Sequence, residues 1–291
     1  VVDIQADFGD DTGFGGDATF GFGSGRNQTT LGGGSPKTAP VTGAVGSRVE
    51  PGSDPDAVEV SRTAVVVSGL ATTLLTAPEP SARVRAAEQL AKYGGEAKEA
   101  IPALVSSLED LSDAVRREAC AALAAMGEHG KEAIPSLSER VTIEKSADLR
   151  GILVKTMMAI DPASPEVEAV LKRTLVGGSG ETIHPARGHL LSTNRVWACG
   201  AISHLGPTAA WSGPMLLRLL RVSASDLDHY GNDRVYRATL NALVAIEHTA
   251  AIPVLEDYKS GARLRSSHAS DVEDCVLAAD SAIRALKLVS P

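Results

Sequence analysis

Histidine and carboxylate side chains are the first candidates for chemistry, because they bind metals and move protons. The chain has seven histidines. His184 and His189 are followed further on by Asp226, Asp228 and His229. These five residues are suitable metal ligands by type, but their spacing defines no geometry. Polar loop residues are the simpler account of them, and no metal or cofactor is expected. Cys120, Cys199 and Cys275 stand far apart with no CxxC pair. That argues against a disulfide framework and a zinc site, and favours small buried residues in helices. The motifs GxSxG, GxxxxGK[ST] and HExxH are absent, so no catalytic residue is assigned. The glycines around 13–16 and 21–25 are not phosphate loops, because no strand pattern precedes them and no helix pattern follows directly.

The elements that would position such residues differ along the chain. Residues 1–57 hold 13 of the 28 glycines, one leucine (Leu31), and no Tyr or Trp. Such a segment buries too little apolar area to offset an ordering cost of roughly 1–2 kcal/mol per residue. A flexible tail is expected there. It carries eight acidic and three basic residues, hence most of the net charge of -8. All four phenylalanines lie in it, each followed by glycine: Phe8, Phe14, Phe20 and Phe22. The tail reads either as a passive spacer or as a docking peptide with these four as anchors, which would allow self-association. The chain begins at Val1 rather than Met, so a removed leader or a longer parent protein is expected, and the compartment stays open.

From about Asp56 onward, apolar residues recur at i, i+3, i+4 and i+7, the period of a helix with one buried face. Aromatic content is only 3%. A core of Ala, Leu, Val and Ile suits closely packed helices better than a sandwich of strands. The longest apolar run, Ala64 to Leu75, is too short to span a membrane. An acidic chain also argues against general nucleic-acid binding.

Two adjacent stretches repeat. One runs Val84-Arg85-Ala86-Ala87, Leu90, Gly94, then Ala100-Ile101-Pro102-Ala103-Leu104. The next runs Val115-Arg116-Arg117-Glu118-Ala119, Leu123, Gly127, then Ala133-Ile134-Pro135-Ser136-Leu137. Each reads as a helix stopped at glycine, a short connection, and a second helix opening near proline. Asp113, Asp148, Asn194, Asp233 and Asp271 are expected as N-caps of successive first helices. Pairs are expected at about 80–109, 112–142, 146–176, 193–222 and 232–260, between a leading helix at 58–76 and a closing helix at 270–288.

This pattern resembles the bacterial HEAT-repeat family, including its phycobilisome-lyase-like variety. Later units are weaker, with Leu149-Arg150, Val196-Trp197, Val235-Tyr236 and Val272-Glu273 in the Val-Arg slot, so that Trp197 replaces the usual arginine. The resemblance implies an all-α, right-handed α-solenoid over residues 58–291, about five helix pairs plus end helices, behind the glycine-rich disordered tail of residues 1–57. A closing helix with Asp274, Asp280, Arg284 and Lys287 on a wet face is expected as a cap.

The resemblance also implies a protein-binding scaffold or assembly subunit. Second helices line the concave face in this family, which would bring together Lys172, Arg173, Arg218 and Arg221. That basic patch is either an ordinary solvated face or a site for an acidic peptide, the tail being chemically suitable. Trp197 and Trp211 read as packing residues or, if exposed, as partner anchors. The longer connections 177–192, 223–232 and 260–269, the last with Arg263, Arg265 and His268, would lie along one edge and are further candidates for partner contact. The alternatives are a lyase-like enzyme on the repeat fold and a nucleic-acid binder using the local basic patch. Against a diiron hydroxylase of this fold, Glu128-His129 and Glu247-His248 reverse the His-Glu order such a site uses. Against a bilin pocket stands the scarcity of aromatics.

Overall fold

The structure is a computed structural model and describes residues 55–177, 189–225, 227, 232–260, 264, 266 and 268–290. The tail anchors Phe8, Phe14, Phe20 and Phe22 lie outside the described residues, as do His184, Asp226, Asp228, His229, Arg263 and Arg265. Among the described residues the chain is all-α and no strand occurs. The helices are α1 (Pro55–Thr76), α2 (Pro80–Tyr93), α3 (Ile101–Ser107), α4 (Asp113–Ala125), α5 (Ile134–Ile143), α6 (Ala147–Ile160), α7 (Pro165–Val176), α8 (His189–Leu205), α9 (Gly213–Ala224), α10 (Asn232–Ala245), α11 (Ile252–Lys259) and α12 (Ala269–Val289). Short 3-10 turns at Gly94–Ala100, Gly127–Ala133 and Gly206–Ser212 join three of the pairs.

Two rows of helices result. First helices stack in order, α2 on α4, α4 on α6, α6 on α8, α8 on α10 and α10 on α12. Second helices form the other row, with α5 on α7 and α7 on α9, while α1 covers α2 and α3 at one end. The contact surfaces are lined by small residues. Ala86, Ala87, Ala97, Ala100, Ala119, Ala122 and Ala133 are all buried between the leucines Leu90, Leu104, Leu123 and Leu137. Alanine at a crossing lets helix axes approach to about 8–10 Å, and this is why so few aromatic rings are needed.

The helix ends follow local chemistry, with one correction. Pro102, Pro135 and Pro253 sit in the first turn of α3, α5 and α11, where a missing N–H leaves no bond unmade. The expected acidic N-caps do not cap. Asp113 and Asp148 lie inside the first turn, and Ser112 and Ser146 hold the cap positions. Ser146 accepts a bond from the Leu149 N–H, and Ser164 accepts one from Val167. A carboxylate one residue further in still favours the helix through its dipole. Asn194 is no cap either, because α8 begins five residues earlier.

A second correction concerns register. The repeating arginine is not in the Val84-Arg85 position but at Arg83. Arg83, Arg116, Arg150 and Arg195 each stand eleven residues before Gly94, Gly127, Asp161 and Gly206, which lie one or two residues past the ends of their helices. Arg83 binds Asp110 through two parallel bonds of 2.7 and 2.9 Å and donates a third to the Ala77 carbonyl at 2.8 Å. Arg116 repeats this one unit on. It donates to the Asp110 carbonyl at 2.8 Å and to the Glu144 carboxylate at 3.1 Å. Arg150 donates to the Glu144 carbonyl and, at 3.4 Å, to Asn194. Arg195, fully buried, reaches the last-turn carbonyls of Leu175 and Val176 at 3.1 and 3.2 Å. Trp197 therefore replaces no arginine. In the fifth unit Tyr236 takes the same place, eleven residues before Glu247. It is buried, and its hydroxyl has no hydrogen-bond partner among the described residues.

Asp274, Arg284 and Lys287 of the closing helix are exposed, as expected of a wet face, and its charges are also engaged. Lys259 meets Asp280 at 2.6 Å, Lys287 meets Glu256 at 2.9 Å, and Arg237 meets Asp274 at 3.6 Å. Three of the four residues expected to face water thus pair with α10 and α11, while Arg284 pairs within α12 to Asp280 at 3.2 Å.

Glu144 is the most buried acid of this ladder, and burial alone would raise its pKa. The Ser146 N–H, Arg140 and Arg116 outweigh burial and hold it at about 2, against 4.5 for an unperturbed glutamate. The stabilisation it contributes is fully present above pH 4.5 and is lost as pH falls through about 2. Glu144→Gln, which leaves Arg140 without its charge partner and Arg116 with only the exposed Asp113, should cost about 3 kcal/mol at neutral pH in a denaturant titration. The gap between variant and parent should close between pH 4.5 and 2. Glu247 gives a change of opposite sign. It is the one non-glycine residue with positive φ among those described, at 56°. Relief of about 1–2 kcal/mol of steric cost is partly offset by the chain entropy of glycine, so Glu247→Gly should raise stability by about 0.5–1 kcal/mol in the same titration.

Candidate functional site

Of the five residues expected to contact a partner, Lys172 and Arg173 lie on α7, Arg218 and Arg221 on α9, and Trp211 in the turn that leads into α9. Ser164 starts α7 as a side-chain cap, and Gly177, in the left-handed conformation, ends it. Across the twelve residues between, the apolar positions Val167, Val170, Leu171 and Leu175 turn inward. Lys172 and Arg173 are left exposed. In α9 the buried residues Leu216, Leu219 and Leu220 likewise leave Arg218 and Arg221 exposed, one helical turn apart on the same face.

Trp211 joins the two helices. It lies in the turn Gly206–Ser212 that leads into α9 and is half-buried. The Lys172 ammonium sits 5.1 Å from the centre of its ring. That is within reach of a cation–π contact, worth about 0.5–1 kcal/mol at an exposed site. Lys172 also pairs with Glu168 one turn back in α7. Arg173, Arg218 and Arg221 make no ion pair with a described residue. Of the five expected partner residues, Lys172 and Trp211 are thus in direct contact, and the other three flank them on packed helices.

The rest of the second-helix row differs. α3 contains no charged residue, and Arg140 of α5 is engaged by Glu144 at 2.8 Å. In α11, Glu256 and Lys259 are spent on α12. Only α9 carries two arginines and no acid. The positive excess of this row therefore lies in α9, because Glu166 and Glu168 balance Lys172 and Arg173 within α7.

The other candidates are structural where they can be described. Trp197 is buried against Gly151 and donates to Asn194 at 3.3 Å. His129 and His248 lie over the glycines of the preceding unit. A Cβ built on Gly95 would meet the His129 ring at 2.3 Å, and one on Gly213 would meet the His248 ring at 2.5 Å. Burial lowers the pKa of His248. His268 is exposed and stands 3.9 Å from Asp271. His189 opens α8, but its side chain is outside the described residues. Among the described residues no three or more His, Cys, Asp or Glu side chains group as a metal site, and no helix is long and apolar enough to cross a membrane. The sequence reading missed Asp110, Glu144 and the arginines that bind them. Their signal was the constant eleven-residue distance to the helix end.

All three cysteines are free and buried. Burial pushes Cys120 and Cys199 to about 12 and Cys275 to about 11. Such thiols are poor nucleophiles. None of the three should react with an aromatic disulfide reagent at pH 8 in the folded chain, and all three should react after unfolding, as read by absorbance.

A family model described as HEAT repeats matches residues 67–158. No curated protein matches the sequence. Among solved structures, the crystal structure of an engineered protein is similar over 76% of this chain and 96% of that chain, at 19% identity. Its TM-score is 0.43, too loose a likeness to carry an argument. The matched stretch runs from α1 to α6, so the likeness to HEAT repeats covers those helices.

Proposed function

We propose that this repeat scaffold is non-catalytic and binds a protein partner through the exposed face of α7 and α9, with Trp211 as the anchor and Lys172, Arg173, Arg218 and Arg221 around it. The observation that carries this reading is that Arg173, Arg218 and Arg221, three exposed arginines on adjacent helices, make no ion pair with a described residue and accompany a half-buried tryptophan. Tryptophan and arginine are the residue types most often found to dominate binding energy at interfaces. The guanidinium groups of Arg218 and Arg221 favour carboxylate-rich segments, because each can present two parallel N–H donors to one carboxylate. The partner's contacting segment is accordingly acidic. An assembly role fits the same chemistry, since a two-row helical array offers a long rigid face and no described catalytic group.

The test is capture of proteins by the intact chain from its native source, against the double variant Arg218→Glu/Arg221→Glu. Both side chains are exposed, so the variant should keep its helical circular dichroism and melting temperature. Partners captured by the parent should fall by about tenfold or more in the variant, which corresponds to roughly 1.4 kcal/mol. They should also wash off more readily at high salt. Equal recovery by parent and variant would sink the proposal.

A further inference from the structure

We infer that the α7–α9 face is occupied, in the chain's own resting state, by its N-terminal segment of residues 1–24, so that an outside partner has to displace it. This inference rests on the reading of that face as a binding site for acidic segments.

Charge complementarity is the first support. Residues 1–24 contain Asp3, Asp7, Asp10, Asp11 and Asp17 and no basic residue. The face they would meet has Arg173, Arg218 and Arg221 without an ion pair to any described residue; its acids are Glu166 and Glu168 at the start of α7, the latter paired with Lys172, and α9 has none, so the cations still outnumber the acids by two. Elsewhere along the second-helix row the charges are absent or already neutralised by named partners, such as Arg140 by Glu144 and Lys259 by Asp280. The acidic segment therefore has one matching surface in that row.

The aromatic content is the second support. Phe8, Phe14, Phe20 and Phe22 alternate with these aspartates. Trp211 is half-buried and bears a cation on its ring, so a phenyl ring can pack at its edge while flanking carboxylates meet Lys172 and the arginines. The flanking glycines allow close backbone approach to the helices.

Length is the third. Helix axes in a stacked row lie about 8–10 Å apart, so α7 and α9 stand about 30–40 Å along the row from α1. From the middle of the acidic stretch to Pro55, a glycine-rich coil of about 40 residues has a root-mean-square span of about 35 Å. A linker whose span matches the separation gives an effective concentration in the millimolar range. Weak contacts suffice at that concentration, and the intramolecular site outcompetes a second copy at ordinary protein concentrations.

The test uses the full chain with Ser24→Cys carrying a nitroxide label. The native thiols are buried and leave the new one alone to react. The chain has two tryptophans, so two indole N–H signals report on it by NMR. Oxidised label should reduce the Trp211 indole intensity at least twofold relative to reduced label, independent of protein concentration. The intensity should return when Asp3, Asp7, Asp10, Asp11 and Asp17 are all changed to Asn, and also in Arg218→Glu/Arg221→Glu. The proposal is overturned if the Trp211 signal is unaffected by the label. It is equally overturned if the loss survives Arg218→Glu/Arg221→Glu, because the segment then docks elsewhere. A loss seen only when labelled chain is mixed with unlabelled isotopic chain assigns the contact to a second copy and also overturns it. If partner capture depends on Arg218 and Arg221 while the label has no effect, the binding face stands and the intramolecular occupant alone fails.

Discussion

One guanidinium per unit fastens the first four repeats to one another. Arg83, Arg116, Arg150 and Arg195 each point back into the connection before their own helix or the last turn of the helix before it. There they meet backbone carbonyls that no helix can satisfy internally, because the last four carbonyls of a helix lack a partner. Arg83 and Arg116 also bind a carboxylate in the connection that follows their own unit. Asp110 and Glu144 are therefore shared. The Asp110 side chain serves one unit and its carbonyl serves the next. Burying charge in this way is favourable only when every donor and acceptor is matched. The match is incomplete at Arg150, where one buried nitrogen has no partner among the described residues, and in the fifth unit an uncharged Tyr236 takes the place of the arginine.

The helix surfaces between these fastenings follow from volume. Alanines at the crossings and leucines between them fill the first units, and the buried rings Trp197, Tyr236 and Tyr258 all lie in the later ones. Trp197 fits because Gly151 faces it. The histidines of two turns likewise lie over Gly95 and Gly213 of the unit before. Each unit thus leans on its predecessor through one small residue, and the stability of the array is spread along its length. Helix α12 is tied back to α10 and α11 by three ion pairs.

The candidate binding face is what remains after these demands are met. α7 and α9 turn their apolar positions inward as every other second helix does. Of their exposed cations, Lys172 pairs with Glu168 and lies over Trp211, while Arg173, Arg218 and Arg221 make no ion pair with a described residue.

Much of the fold was legible in the linear chain, because its signals are local. The Ile-Pro starts, the glycine stops and the 3.6-residue apolar period each act within one or two turns of a helix, and they outline the pairs from α2 to α11. Lys172 and Trp211 could be named as candidates from residue type and unit number. Their contact could not, since it joins residues in separate helices across the long connection from α7 to α8. The arginine register was hidden for the same reason. Arg83 and Arg85 look alike in sequence, and only the position of Asp110, 27 residues away, selects Arg83. The same holds for Trp197, which looked like a substitute for arginine until Arg195 was seen to reach the carbonyls of α7. Helices are decided by neighbours along the chain, whereas charge pairing and ring stacking are decided by neighbours in space. The first could be read from order alone, and the second had to wait until packing brought the repeats together.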